Sequence, residues 1–150
     1  MKVASEKLSC VRANVMLFLL IILASFCFIS CDDLYITNVS PEEVKAMIDS
    51  GDDLTLLDVR EPDEYCDNDG EIPDGHIAGT INMPYESKVL SENYKDLDKD
   101  MPIVVICRSG NRSLLSSIFL WLRGFRNLYN MEGGMKAWPY TDELEFCTEE

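Results

Sequence analysis

Residues 103–112 read IVVICRSGNR, four β-branched residues followed by a cysteine and a short polar loop. Four consecutive β-branched residues are typical of a strand that is buried on both faces. The following residues, 113–123, are largely apolar and are followed by Gly124, which predicts a mostly buried helix with a glycine cap. We therefore expect Cys107 to lie at the junction of a buried strand and a buried helix.

The predicted position of Cys107 is one that favours a nucleophile. Backbone N–H groups of a first helical turn and the helix dipole both stabilise an anion, and the thiolate is the attacking form of cysteine. Arg108 and Arg112 oppose the helix dipole at a cost of about 0.3–1 kcal/mol each. Their presence is explained if a thiolate or an anionic substrate lies in the loop. The alternative, a small buried hydrophobic cysteine, leaves both arginines unexplained.

Segments typical of strands and helices alternate along the chain after Cys31. Ser40, Pro41 and Glu43 form a capping box, which predicts a helix that runs to about Asp49. Strands are predicted near residues 35–37 and at 54–59, 80–83, 103–106 and 127–130. This alternation predicts an α/β fold with a central parallel sheet of about five strands and helices on both faces. In such folds ligands bind beyond the carboxyl ends of the strands, where Cys107 falls.

The N-terminal residues have the pattern of an export signal. Basic residues precede an apolar stretch at 15–29, and acidic residues follow Cys31, which predicts that the domain lies outside the cytoplasm. The sequence at 28–31, FISC, resembles a bacterial lipobox with Phe28 in place of the usual leucine. We therefore expect lipidation of Cys31 and an extracytoplasmic, membrane-anchored lipoprotein of the bacterial periplasm. A cleaved signal, an uncleaved anchor and an unprocessed intracellular chain are the alternatives.

Composition and charge limit the organisation and the partners. The chain has 150 residues, 47% of them hydrophobic, which fits an export segment at 1–30, a linker at 31–34 and one domain at 35–140. Residues 141–150 form an acidic tail that we expect to be loosely docked. The net charge of -14 argues against a nucleic-acid partner. One histidine and scattered cysteines form no recognisable ligand cluster, so we expect neither a metal nor a cofactor.

Several separated motifs occur in a characteristic order. They are DVRE at 58–61, GHIAG at 75–79, CRSGNRS at 107–113, and EGGM at 132–135 with Trp138. Together they resemble the rhodanese family, the single-domain sulfurtransferases, and imply its three-layer fold. The resemblance implies an enzyme of the thiosulfate sulfurtransferase type. Its cysteine takes a sulfane sulfur from a donor as a persulfide and passes it to a thiol or cyanide acceptor.

The resemblance also implies the roles of the loop residues. Cys107 would be the nucleophile, and the donor would be a small anion attracted by Arg108 and Arg112. The N–H groups from Arg108 through Ser109, Gly110 and Asn111 to Arg112 would cradle the outer sulfur. A non-enzymatic persulfide carrier or protein-binding module remains an alternative. Phosphatases and arsenate reductases of this fold have five residues between Cys and Arg, whereas four here favour sulfur.

The cysteines outside the loop leave two pairings open. If Cys31 is lipidated, Cys66, Cys107 and Cys147 remain in an oxidising compartment. Cys66 pairs either with Cys147, leaving Cys107 free, or transiently with Cys107 as a resolving thiol. The predicted position of Cys66, on the same edge of the sheet as Cys107, favours the second pairing.

Three other polar residues are expected to be structural. His76 is the single histidine of the chain, but in the resembled motif this residue precedes a strand and ties loops together. Asp58 and Arg60 are expected to form an ion pair at a strand end.

Overall fold

The computed structural model describes residues 35–66 and 75–147. The predicted export segment, the linker and the lipidation site Cys31 lie outside this part of the chain. None of the helices within the described ranges is long and apolar enough to cross a membrane.

The described residues alternate between strands and helices. The strands are β1 Ile36–Val39, β2 Thr55–Asp58, β3 His76–Ile77, β4 Ile81–Asn82, β5 Ile103–Ile106, β6 Leu128–Met131 and β7 Leu144–Glu145. The α-helices are α1 Pro41–Asp49, α2 Pro62–Cys66, α3 Val89–Asn93 and α4 Asn111–Trp121. Short 3₁₀ helices occur at Tyr94–Asp96, Gly134–Ala137 and Thr141–Glu143.

The main sheet has five strands in the order β1-β6-β5-β2-β4. Each neighbouring pair is parallel, which confirms the predicted sheet of about five parallel strands. β5 lies in the centre, and all four of its residues are fully buried. The β-branched run at 103–106 forms this strand because both of its faces are covered.

Helices cover both faces of the sheet, as predicted. On one face Val105 of β5 belongs to the same buried cluster as Leu120 of α4 and Leu90 of α3. On the other face Val104 clusters with Val44 of α1 and with Trp138. Successive residues of a strand point to opposite faces, so one short strand contributes to both halves of the core.

The capping box at the start of α1 is present as predicted. The N–H of Glu43 donates to Ser40 Oγ (3.2 Å), and the N–H of Ser40 donates to Glu43 Oε2 (2.7 Å). The helix ends at Asp49. These contacts satisfy two N–H groups that a helix start otherwise leaves unpaired.

The C-terminal residues are docked, which corrects the expectation of a loose tail for residues 141–147. β7 pairs antiparallel with β3, and a disulfide joins Cys66, at the end of α2, to Cys147. The Cα atoms of the two cysteines are 5.0 Å apart. Cys107 is the free cysteine of the described residues. The pairing of Cys66 with Cys107 was therefore wrong, because the returning chain brings Cys147 to α2.

Candidate active site

Cys107 lies where the sequence places it, between the carboxyl end of β5 and the start of α4. Its side chain is fully buried, and the N–H of Gly110 donates to its Sγ (3.1 Å). Gly110 has a φ of +90°, a left-handed conformation that favours glycine. A Cβ at this position would lie 3.2 Å from the Gly133 nitrogen. Glycine therefore allows the tight turn that brings an N–H onto the sulfur.

The 3₁₀ helix at Gly134–Ala137 supports the loop from behind. The N–H of Met135 donates to the Cys107 carbonyl (2.8 Å), and the N–H of Lys136 donates to the Arg108 carbonyl (3.0 Å). A Cβ on Gly134 would lie 2.6 Å from both the Arg108 carbonyl carbon and the Ser109 nitrogen. The EGGM motif thus permits a close approach of two backbones.

The other residues of the predicted cradle are arranged less uniformly. Ser109 and Asn111 are exposed and line an open cavity of about 350 Å³ on the outer side of the loop. Five backbone N–H groups are predicted to form the cradle. Within the described residues, the N–H of Gly110 is the one that donates to Cys107 Sγ. The sulfur is enclosed, so a donor must be small or the loop must open to admit it.

Arg112 is paired with an acidic side chain. Its two terminal nitrogens donate to the two carboxylate oxygens of Glu64, each at 2.5 Å, and Glu86 lies 3.8 Å away. The hydrogen bonds from Arg112 lower the pKa of Glu64, and the same pairing raises the pKa of Arg112. Arg112 is predicted from the sequence to attract an anionic donor, and in the structure it already has the Glu64 carboxylate as its counter-charge.

Arg108 differs from Arg112 in this respect. Its guanidinium makes no hydrogen bond or ion pair within the described residues, and its Nε is buried without a partner. An unpaired buried donor is costly, and a bound anion would satisfy it. The uncompensated positive charge of the loop therefore resides on Arg108.

The predicted ion pair of Asp58 and Arg60 is confirmed, and it is completely buried. Nε and one terminal nitrogen of Arg60 donate to Asp58 Oδ2 (2.9 and 2.7 Å). Arg60 also donates to the carbonyls of Glu64 (2.7 Å) and Gly75 (3.0 Å). Arg60 thus ties α2 to the end of β2, and α2 carries the carboxylate that holds Arg112.

His76 has the structural contacts that the sequence analysis expected. Its ring stacks on Tyr65 with the centroids 3.9 Å apart, and Nδ1 lies 3.3 Å from the Tyr65 carbonyl oxygen. Nε2 is 3.9 Å from a carboxylate oxygen of Glu145 on β7. These contacts join α2, β3 and the C-terminal strand.

Two polar residues connected to the sulfur, Ser113 and Asn130, were not predicted as site residues from the sequence. Ser113 Oγ lies 3.3 Å from Cys107 Sγ and 2.5 Å from Asn130 Oδ1. Asn130 Nδ2 in turn donates to Asn38 Oδ1 (2.9 Å). The available signal was Asn130 itself, an asparagine at the end of the strand predicted at 127–130, because an amide that becomes buried in a sheet requires hydrogen-bonding partners.

The fold and the site together define the class of this protein. The chain is an α/β protein with a thiol at the carboxyl edge of a parallel sheet, and a short loop at the start of a helix encloses that thiol. Four residues separate Cys107 from Arg112, and one loop N–H donates to the sulfur.

Comparison with known proteins identifies the family. The model of the rhodanese-like domain matches residues 40–140. The chain is 30% identical over 108 residues to the thiosulfate sulfurtransferase GlpE of Pseudomonas fluorescens, covering 72% of this chain and 89% of that protein. It is 31% identical over 103 residues to the putative sulfur carrier protein YrkF of Bacillus subtilis, covering 69% of this chain and 51% of that protein. The crystal structure of a rhodanese-like domain protein from Staphylococcus aureus has a TM-score of 0.63 at 23% identity, covering 75% of this chain and 100% of that one. The chain belongs to the rhodanese-like domain family.

Proposed function

We propose that this protein is a sulfurtransferase of the thiosulfate type, in which Cys107 carries the transferred sulfur. The observation that carries the proposal is the enclosed free thiol between β5 and α4, with the Gly110 N–H on its sulfur. The similarity to GlpE, named a thiosulfate sulfurtransferase, supports the same activity.

The proposed reaction is a pair of displacements at sulfur. The Cys107 thiolate attacks the outer sulfur of thiosulfate, forming a new S–S bond while the S–S bond of the donor breaks and its electron pair leaves with sulfite. A thiol or cyanide then attacks the outer sulfur of the persulfide, and the electron pair of the broken bond returns to Cys107. The two steps balance without an added oxidant or reductant.

Direct labelling tests the proposal. The full chain is incubated with thiosulfate, its intact mass is measured, and the modified peptide is mapped without reduction. We expect the gain of one sulfur atom on the peptide that contains Cys107, and no gain on the Cys66–Cys147 peptide. A wild-type protein that gains no mass at saturating thiosulfate overturns the proposal.

Arg108 and Arg112 are expected to contribute differently. Arg108→Met removes the uncompensated charge and should slow loading about ten- to a hundredfold at limiting thiosulfate, because a hydrogen bond to a charged group contributes about 1.5–3 kcal/mol. Arg112→Met removes the partner of Glu64. It should lower the free energy of unfolding by more than it raises the free-energy barrier to sulfur loading.

The measurement is the loading rate as a function of thiosulfate concentration, together with the urea midpoint of each variant. High thiosulfate should rescue Arg108→Met, and the matched variant Arg108→Lys should keep most of the rate because it keeps the charge. A loading defect in Arg112→Met that exceeds the defect in Arg108→Met, at an unchanged urea midpoint, would contradict these assignments.

A persulfide carrier is the second candidate, and the 31% identity to YrkF, named a putative sulfur carrier, favours it. Both candidates load sulfur, so the distinction lies in turnover. A sulfurtransferase releases thiocyanate continuously from thiosulfate and cyanide, whereas a dedicated carrier stops after about one equivalent per chain. A phosphatase or arsenate reductase is disfavoured, since only four residues separate Cys107 from Arg112.

We also propose that the protein acts outside the cytoplasm, attached to a membrane through its N-terminal segment and a lipid on Cys31. The pattern of residues 1–31 supports export, and the Cys66–Cys147 disulfide is typical of an oxidising compartment. Metabolic labelling with a radioactive fatty acid tests the anchor. Recovery of unlabelled full-length chain in the cytoplasmic fraction would contradict it.

A further inference from the structure

The carboxylate of Glu64 occupies both terminal nitrogens of the loop arginine Arg112. Each nitrogen donates to one carboxylate oxygen at 2.5 Å, so the two oxygens match the planar fork of the guanidinium. The side chains of Arg112 and Glu64 are 19% and 20% exposed, and a carboxylate oxygen of Glu86 lies 3.8 Å from the same arginine. The donors that could bind two oxygens of a tetrahedral anion are therefore already bound to a carboxylate.

Glu64 is charged and is held in place by its surroundings. The hydrogen bonds from Arg112 lower the pKa of Glu64, although burial acts in the opposite direction. The N–H of Glu61 donates to Glu64 Oε2 (3.3 Å), and Arg60 donates to the backbone carbonyl of Glu64 (2.7 Å). These contacts fix the negative charge of Glu64 beside the start of α4.

Arg112 lies close enough to Cys107 for their charges to interact. The pKa of Arg112 is raised first by its hydrogen bonds to Glu64, and the charge of a Cys107 thiolate is among the smaller causes. The charge of Arg112 would attract a divalent anion to the sulfur, but the opposite charge of Glu64 cancels much of that attraction. The net positive charge of the loop is then supplied by Arg108, whose Nε is buried without a partner.

This cancellation affects the substrate and the product of the proposed reaction alike. Thiosulfate and the sulfite that leaves from it both carry an anionic SO₃ group. A loop with two uncompensated arginines would bind both anions tightly, and the product would leave slowly. Binding that the substrate, the transition state and the product share lowers KM without accelerating the transfer of sulfur. A loop with one uncompensated arginine attracts the donor and still releases the product.

We propose that Glu64 is a specificity-determining residue that occupies Arg112 and so prevents the loop from retaining divalent oxyanions. The inference rests on the proposed function in taking this loop as the site of the anionic donor. Loss of the Glu64 charge should therefore strengthen the binding of a divalent anion. A residue that only supports the fold predicts the opposite result, because its loss should weaken the binding of every ligand.

Protection of Cys107 by sulfate measures this binding on the full chain. Sulfate has an oxygen in place of the outer sulfur of thiosulfate, so it can bind but cannot load the cysteine. Iodoacetamide alkylation of the Cys107 peptide is followed by mass at increasing sulfate, with sodium chloride keeping the ionic strength constant. The half-protecting sulfate concentration should fall about tenfold in Glu64→Gln, because Arg112 regains its charge for an anion. A concentration equal to or above that of the wild type overturns the proposal.

Two matched variants separate the Glu64–Arg112 pair from a general effect of charge. Glu92→Gln removes an exposed carboxylate from α3 and should leave the half-protecting concentration unchanged. Arg112→Met added to Glu64→Gln removes the charge that Glu64→Gln uncovers, so the tenfold gain in binding should disappear. A gain that persists in the double variant, or an equal gain in Glu92→Gln, would show that Arg112 is not the cause.

Glu86→Gln keeps the inference testable if Glu64→Gln does not fold. The side chain of Glu86 is 65% exposed and lies 3.8 Å from Arg112, so its loss should lower the half-protecting concentration only about twofold. Equal concentrations for Glu86→Gln and Glu92→Gln would then refute the inference. Alkylation needs no sulfur donor, so a protein that shows these shifts but gains no sulfur from thiosulfate refutes the proposed function alone.

Discussion

Replacement of Cys107 by serine is expected to abolish sulfur loading from thiosulfate completely. Serine differs by one atom, but its hydroxyl is a far weaker nucleophile than a thiolate and cannot carry a sulfane sulfur through this chemistry. Cys107 is the free cysteine of the described residues, and the other two form a disulfide. The measurement is intact mass after incubation with thiosulfate, together with thiocyanate release in the presence of cyanide.

The folded state of this variant is the necessary control. The serine oxygen can accept from the Gly110 N–H and can remain near Ser113, so we expect the free energy of unfolding measured in urea to change by no more than about 1 kcal/mol. A Cys107→Ser protein that still gains one sulfur atom would contradict the assignment. The mapped peptide would then identify the thiol that carries it.

The parts of the fold that the sequence predicts best are those with local causes. β5 spans Ile103–Ile106, the predicted range, because its four β-branched side chains fit only a strand covered on both faces. α1 begins after Ser40 and ends at Asp49 because its cap is formed within four residues. Cys107 follows from these, since a short loop between a central strand and a helix leaves little freedom for its position.

The sequence predicts least where a distant residue decides the structure. It assigns Arg112 to an anionic donor and gives no sign that Glu64, 48 residues earlier, lies beside Arg112 once α2 packs at the same edge of the sheet. The tail was expected to be loosely docked because it is acidic and C-terminal. Its strand β7 has two residues, too few to produce a strand pattern in the sequence. Cys147 acquires a partner only because β7 pairs with β3 and returns the chain to α2.

The polar contacts that join Cys107 to Ser113 and Ser113 to Asn130 could not be predicted from the sequence for the same reason. Ser113 was noted only as part of the loop motif, and Asn130 only as the last residue of a predicted strand. Their contact depends on α4 packing against β6, and the next contact joins residues 92 positions apart. A sequence indicates that a buried amide needs a partner, but the fold decides which partner it finds.

Replacement of Arg60 by leucine is expected to lower the free energy of unfolding by about 3–5 kcal/mol, because removal of one partner leaves the other charge buried and unpaired. Asp58 is 0% exposed, and it would keep the N–H of residue 60 but lose the guanidinium. The carbonyls of Glu64 and Gly75 would lose the same donor. With a typical domain stability of about 5–15 kcal/mol, this change removes a large share of the total. Urea unfolding followed by circular dichroism measures it.

Two further variants separate charge from geometry in this buried pair. Arg60→Lys keeps a positive charge but loses the planar fork that reaches Asp58 and two carbonyls, so we expect an intermediate loss. Asp58→Asn combined with Arg60→Leu removes the stranded carboxylate and should recover part of the stability. A double variant as unstable as the sum of the two single changes would show that burial of the unpaired charge is not the cause.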